Sequence, residues 1–390
     1  MTKSLIFLTL LATLSNPLPA ADWLHLPAKS GTSNGKKIVL ISGDEEYRSE
    51  ESCPMLAKIL SQKFGYDCTV LFAINPEGGY IDPNYQQNIP GTDSLVSADL
   101  MIIGTRFRQL PEAQMASFVS FLNAGKPVIG FRTATHAFKG DAKTGDFRWA
   151  DFGIRILGEN WVNHHGKHGS QGTRGIVEAD HAQHGILRGV GEIFGPSDVY
   201  TVSNPDLQSA TILLRGAVTE TLDPASKAIE GPKNAPTMPM AWLREYTSPD
   251  GVKKGSAFCT TMGSSTDFAD EDLRRLIINT ALHLTGMQVP DKADVSPVDR
   301  FEPTPFAAIN QKDYYKTRNL KPDDYVPGKS PATGVPARRP KTAAPVIARP
   351  AGDGMNQAPD NAPHALMPVP APATVKRPQQ VVPPLPGSVP

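Results

Sequence analysis

Short apolar runs alternate with helical periodicities through the first half of the chain. Residues 36–43 read KKIVLISG, a continuous apolar run ended by glycine. That is the pattern of a strand buried on both faces. Met55, Leu56, Ile59, Leu60 and Phe64 then recur at helical spacing, with Ser52 as a candidate N-cap, Pro54 in the first turn and Gly65 as the stop. Residues 68–74 and 98–104 read as second and third strands. Pro111 opens a second helix with Met115, Phe118, Val119 and Leu122 on one face and Gly125 at its end; residues 127–131 read as a fourth strand. This alternation predicts βαβ crossovers and an α/β, three-layer, doubly wound fold with a mostly parallel sheet. Further on, strands are expected at 175–178, 199–202, 211–215, 240–245 and 256–262. An amphipathic helix over 270–284 points Leu273, Leu276, Ile277, Ala281 and Leu284 inward.

The ends have a different composition. Residues 1–21 carry Lys3, an apolar run over 5–14, the breakers Pro17 and Pro19, and the small residues Ala20 and Ala21. This is the pattern of an export signal cleaved near Ala20/Ala21, with a run too short to span a bilayer. It predicts a periplasmic or secreted protein, and no second stretch is long and apolar enough to span a membrane. Residues 22–35 read as a linker, 36–287 as the folded domain and 288–330 as an extended segment. Residues 331–390 hold 15 prolines, a composition that cannot bury enough apolar surface to order itself. This disordered, weakly basic tail is expected to be solvated without a specific partner, the alternatives being a spacer or a segment that touches an anionic cell envelope.

Hydrophobic residues make up 39% of the chain, enough for a substantial core. Lys+Arg and Asp+Glu both number 39, which argues against the basic face that nucleic-acid binding requires. Cys53, Cys68 and Cys259 are odd in number and widely spaced, indicating neither a disulfide framework nor a cysteine-based zinc site.

In doubly wound sheets, ligands bind beyond the carboxyl ends of the strands, so polar residues just after strands one, three and four are the candidates. After the first stand Asp44, Glu45 and Glu46, whose mutual repulsion should raise at least one pKa. They suit a general base or a metal ligand, or they solvate the loop and favour the following helix N-terminus. After the third come Arg106 and Arg108; after the fourth, Arg132, Thr133 and His136. No cysteine or serine occupies this last turn, where a related architecture presents a nucleophile. An arginine, hydroxyls and an imidazole suit binding and polarising a carbonyl, carboxylate or sugar hydroxyl instead.

Six of the nine histidines fall between 136 and 184. His164, His165 and His168 sit in a glycine-rich loop that continues through Gln171 and Arg174, and they suit acid/base or hydrogen-bonding work in a polar pocket. His164 or His165 together with His168 could alternatively ligate a divalent metal, although the spacing matches no strong zinc signature. His181 and His184 are expected to cap a turn at the domain edge.

Together, the first strand with its acidic turn, the segment 130–138 (GFRTATHAF), the loop 163–175 and the ending 255–263 (GSAFCTTMG) resemble the ThuA-like (trehalose utilisation) family over about residues 36–287. The resemblance implies a flavodoxin-like fold related to class I glutamine amidotransferases and a role in sugar metabolism, including oxidised (keto) sugars. The amidotransferase cysteine is absent at the turn, which removes a glutaminase activity. Many members carry Gly-His after the last strand, where this chain has Gly263 and Ser264. The expectation is an exported protein acting on a small carbohydrate or keto-sugar by acid/base chemistry. His136, His165, His168 and Glu46 would move protons, and Arg132, Thr133, Asp44, Glu45, His164, Gln171 and Arg174 would bind substrate. The alternatives are a non-catalytic sugar-binding module at the envelope and a metal-dependent hydrolase.

Overall fold

Alternation along the first apolar run divides the core into two layers. Ile38 and Leu40 pack in one cluster with Leu56, Leu60, Leu276 and Ile277, whereas Val39 and Ile41 pack in a second with Phe118, Phe121 and Leu122. Two-sided burial of this kind is what a near-continuous apolar strand requires. The computed structural model describes residues 22–331 except 205, 206 and 208. The expected export signal and all but the first residue of the proline-rich tail lie outside the described residues.

Ten strands form one mixed sheet: β1 (Trp23–Leu26), β2 (Lys37–Gly43), β3 (Asp67–Phe72), β4 (Leu100–Thr105), β5 (Val128–Phe131), β6 (Thr173–Val177), β7 (Ile193–Gly195), β8 (Thr211–Val218), β9 (Met238–Thr247) and β10 (Lys254–Thr260). Their spatial order is β1-β3-β2-β4-β5-β10-β9-β8-β6-β7. The block β3-β2-β4-β5-β10 is parallel throughout. Counted in chain order within that block, the strands lie second, first, third, fourth, fifth, which is the flavodoxin-like arrangement. The remaining pairings, β1 with β3 and the run from β10 to β7, are antiparallel. Helices α1 (Ser49–Phe64) and α3 (Glu271–Leu284) cover one face, and α2 (Glu112–Asn123) covers the other. Among the described residues no helix is long and apolar enough to cross a membrane. Cys53, Cys68 and Cys259 are free and buried.

Several local expectations change. Helix α1 begins at Ser49 rather than after Ser52, because Ser49 Oγ accepts the Gly43 N–H at 3.1 Å and ties the helix directly to the end of β2. Glu50 and Glu51 then occupy the first turn, and Pro54 lies inside the helix. Trp23–Leu26, within the segment read as a linker, pairs as an edge strand with β3. Residues 199–202 form no strand. The carbonyl of Val199 instead accepts the N–H groups of His165 (2.8 Å) and Gly166 (3.0 Å), and Thr201 N–H donates to Asn163 O at 2.8 Å. The segment therefore uses its backbone to hold the histidine loop.

Beyond α3 the chain runs back along α1. Lys58, almost fully buried, pairs with Asp299 at 2.5 Å, and Tyr325 stacks on Phe72 with 5.6 Å between centroids. A short helix, α4 (Tyr314–Arg318), lies in this stretch.

Candidate functional site

The strand order reverses between β2 and its neighbours β3 and β4, and the carboxyl end of that switch point is where a doubly wound sheet leaves a crevice. An open cleft of about 200 Å³ occupies this end, lined by Glu46, Tyr47, Arg106, Phe107, His136, Trp161, His164, His168 and Tyr200. Three strand-end turns contribute to it, and each contains a non-glycine residue in the left-handed region: Arg48 after β2 (φ 62°), Phe107 after β4 (φ 52°) and Arg132 after β5 (φ 48°). Backbone strain of this type persists only where surrounding contacts enforce it, and it concentrates at functional sites.

The enforcing contacts centre on Arg132. Its backbone N–H donates to Met262 O at 3.1 Å. Its guanidinium donates to Asp198 O (2.6 Å), Thr261 O (2.9 Å), Tyr47 Oη (3.1 Å) and Asp198 Oδ1 (3.0 Å). It also lies over the rings of Tyr200 (3.9 Å) and Tyr47 (4.5 Å), favourable cation–π geometry in a desolvated setting. Arg132 and Thr133, expected to orient substrate, have no exposed surface. They form the floor beneath the cleft, and Thr133 Oγ1 donates to Asp44 Oδ2.

The three acidic residues after β2 divide their work. Asp44 is buried and accepts the backbone N–H groups of Glu46 (2.8 Å) and Tyr47 (3.0 Å). Burial, reinforced by the neighbouring Glu45 charge, raises its pKa, as expected for one of the three. Glu45 is taken up by Arg106 and Arg108, each at 2.6 Å. Glu46 reaches the cleft, with Oε1 3.3 Å from His168 Nε2 and Oε2 3.4 Å from Arg106. Burial acts to raise its pKa, but His168 and Arg106 outweigh that and hold the carboxyl below its usual range.

His168 bridges two carboxylates. Nδ1 donates to Asp198 Oδ1 at 3.0 Å while Nε2 faces Glu46. Hydrogen bonding to Asp198 and then to Glu46 pushes its pKa up to about 9, against the effect of burial. His164 Nδ1 lies 2.7 Å from the other oxygen of Asp198. Burial would raise the pKa of Asp198; Arg132 and the two histidines reverse that and hold it well below the carboxylate range. His136 is the opposite case. Burial, with Arg106, Arg132 and His164 nearby, drives its pKa well down. The cleft is thus lined by an ionised carboxylate backed by an imidazolium and by a neutral imidazole. Phe107, Trp161 and Tyr200 pack around His136 at centroid distances of 4.9, 5.6 and 6.5 Å.

Glu46, His136, His164 and His168 therefore come together. His165 turns away, its Nε2 2.7 Å from Lys233 O. Gln171 closes a turn of the histidine loop by accepting Lys167 N–H at 2.8 Å. Arg174, on β6, donates to Ser226 O and pairs with Glu192 outside the cleft. His184 caps a short turn by accepting Ile186 N–H. Ser264, at the Gly-His position of many relatives, is buried and bonded to Thr266. Sequence reasoning missed Asp198, Tyr47, Trp161 and Tyr200. Asp198 and Tyr200 follow β7, an antiparallel edge strand to which the strand-end criterion did not apply; Tyr47 and Trp161 were in segments already singled out, but beside more conspicuous charges.

The donor atoms of His164, His168 and Asp198 lie within 4.8 Å of one another, close enough to share a divalent cation. Geometry within hydrogen-bond range accommodates a proton between these groups equally well.

No curated protein matches the chain. Among solved structures, a ThuA-like protein from Parabacteroides merdae ATCC 43184 is 15% identical with a TM-score of 0.43, covering 65% of this chain and 92% of its own. Another, from Bacteroides uniformis ATCC 8492, is 13% identical with a TM-score of 0.41, covering 69% and 98%. The ThuA family model, described as trehalose utilisation, matches residues 78–284. That match spans more than half of the 390 residues, and the chain belongs to the ThuA family.

Proposed function

We propose that this protein is an exported enzyme of sugar catabolism that acts on a carbohydrate or keto-sugar by acid/base chemistry, without a cysteine nucleophile. The observation that carries the proposal is the presence of Glu46 and His136 in the lining of one aromatic-walled cleft, the first held ionised and the second neutral. A carbonyl in a sugar ring acidifies the adjacent C–H. Glu46 would take that proton, Arg106 would stabilise the oxygen on which negative charge develops, and His136 would move the proton of a hydroxyl or leaving group. Phe107 and Trp161 offer apolar faces to the C–H side of a pyranose ring, while the imidazoles and Arg106 meet its hydroxyls. The turn after β5 carries Arg132, and the three cysteines are buried with thiol pKa values raised; these features support a route without covalent thiol catalysis.

The test is product formation from a panel of glycosides and their keto derivatives. Turnover of a keto-sugar by the wild type supports the reading. Saturable binding to every active-site ligand with no product from any compound would instead support a sugar-binding module. The convergence of His164, His168 and Asp198 favours a metal-dependent hydrolase as the second reading, which elemental analysis of protein purified without chelators addresses. The export proposal rests on residues 1–21 and is tested by fractionating cells that express the full chain.

A further inference from the structure

From outside the family-matched span, the segment beyond α3 brings an aromatic residue against two residues that line the cleft, Tyr47 and His168. Phe306 lies 5.3 Å from His168 and 5.1 Å from Tyr47, centroid to centroid, and remains part-exposed. Its backbone is fastened on both sides. Thr304 N–H and Oγ1 donate to the two carboxylate oxygens of Glu51 at 2.9 and 2.8 Å, and Thr304 O accepts Ser265 Oγ–H at 3.0 Å. Ala307 N–H donates to Glu46 O at 3.0 Å, and Ala307 O accepts from the Arg48 guanidinium. Further on, Ile309 O accepts Asn84 Nδ2–H at 2.9 Å. Phe306 is thus held against the acidic turn, with one of its anchors on Glu46 itself.

Its position relative to Trp161 gives it a use. Successive rings run from Trp161 to His164 (5.5 Å), His164 to His168 (4.5 Å) and His168 to Phe306 (5.3 Å). Trp161 and Phe306 are the first and last rings of this series, each with some exposed surface, and Glu46 contacts His168 within it. A ligand whose reacting bond lies over Glu46 can place one ring toward Trp161 and a second toward Phe306.

We propose that Phe306 is the aromatic platform of a second subsite, and that the substrate has two rings: a disaccharide or a glycoside with a cyclic aglycone. This rests on the sugar reading above and deepens it. The experiment measures affinities of a monosaccharide and the matching disaccharide, in keto and parent forms, for wild type, Phe306→Ala and Phe306→Trp. Calorimetry is used so that turnover is not the readout, and thermal melting confirms folding. The expected result is a disaccharide-to-monosaccharide affinity ratio that falls about five- to tenfold in Phe306→Ala, the scale of one aromatic contact, and recovers in Phe306→Trp. An unchanged ratio, or equal losses for both sugars, overturns the subsite while leaving the sugar reading intact. A wild type that binds neither class overturns both.

Discussion

The carboxylate of Asp198 lies 3.0 Å from the guanidinium of Arg132, and neither side chain has exposed surface. Around this pair the turn after β5, the loop after β7 and the histidine loop meet. Removing one member of such a pair leaves an uncompensated buried charge, which costs about 3–5 kcal/mol. Asp198→Ala is therefore expected to lower the unfolding free energy by an amount in that range, whereas Arg174→Ala, at an ion pair outside the cleft, should cost about 1 kcal/mol or less. Equal, small losses in chemical denaturation would show that the pair does not organise the site.

The same carboxylate sets a pH limit. His168, with its pKa pushed up to about 9, is protonated through neutral pH and loses its proton as pH rises through that value. If its charge holds Glu46 in place, turnover should be level from neutral pH to about 8 and decline through 9. Because the folded value is raised above the ordinary 6.5, the associated stability is complete below 6.5 and disappears between 6.5 and 9. In Asp198→Asn the decline should move to lower pH. A profile flat to pH 10, or one unmoved by that substitution, contradicts this role. NMR titration of the histidine ring protons reports the shift directly.

Glu50 supplies a second pH dependence, away from the cleft. Its carboxyl is fully buried, both oxygens lack a hydrogen-bond partner, and burial pushes its pKa up to about 8. The folded protein then keeps a proton that the unfolded chain releases above its ordinary 4.5, so stability falls as pH rises from 4.5 to 8 and levels off beyond. Glu50→Gln is expected to remove that slope and to be more stable than the wild type at pH 8. Parallel melting curves for the two proteins across this interval would contradict the assignment.

Activity is expected to survive chelation. A proton accounts for the contacts among His164, His168 and Asp198, all within hydrogen-bond distance of the shared carboxylate. Dialysis against a strong chelator should leave turnover within about twofold of the untreated enzyme, well short of the loss expected on removing an acid/base group. Loss of activity with recovery on adding a single divalent metal would establish the metal-dependent reading.

The parallel half of the fold was legible because each strand announces itself locally: 37–43 and 100–105 are apolar runs ending at polar turns, and that periodicity survives without tertiary information. The same regularity placed Glu46 and His136 correctly at strand ends. Arg132 was legible as a site residue but not as a buried one, since its partner Asp198 lies 66 positions away and follows a three-residue edge strand. His165 and His168 are indistinguishable by composition; the backbone bond from His165 to Val199 fixes which imidazole faces Glu46. Phe306 gave no periodic signal at all, because its segment is held by side-chain anchors to α1 rather than by a helix or strand of its own.

The central claim is that Glu46 and His136 work on one substrate in one cleft, and turnover of a keto-glycoside by Glu46→Gln and His136→Ala, beside wild type and with melting temperatures matched, tests it most directly. The account predicts a drop of about 10²–10⁴-fold in kcat for each variant, the usual worth of a positioned proton-transfer group. Wild-type turnover in either folded variant would contradict it.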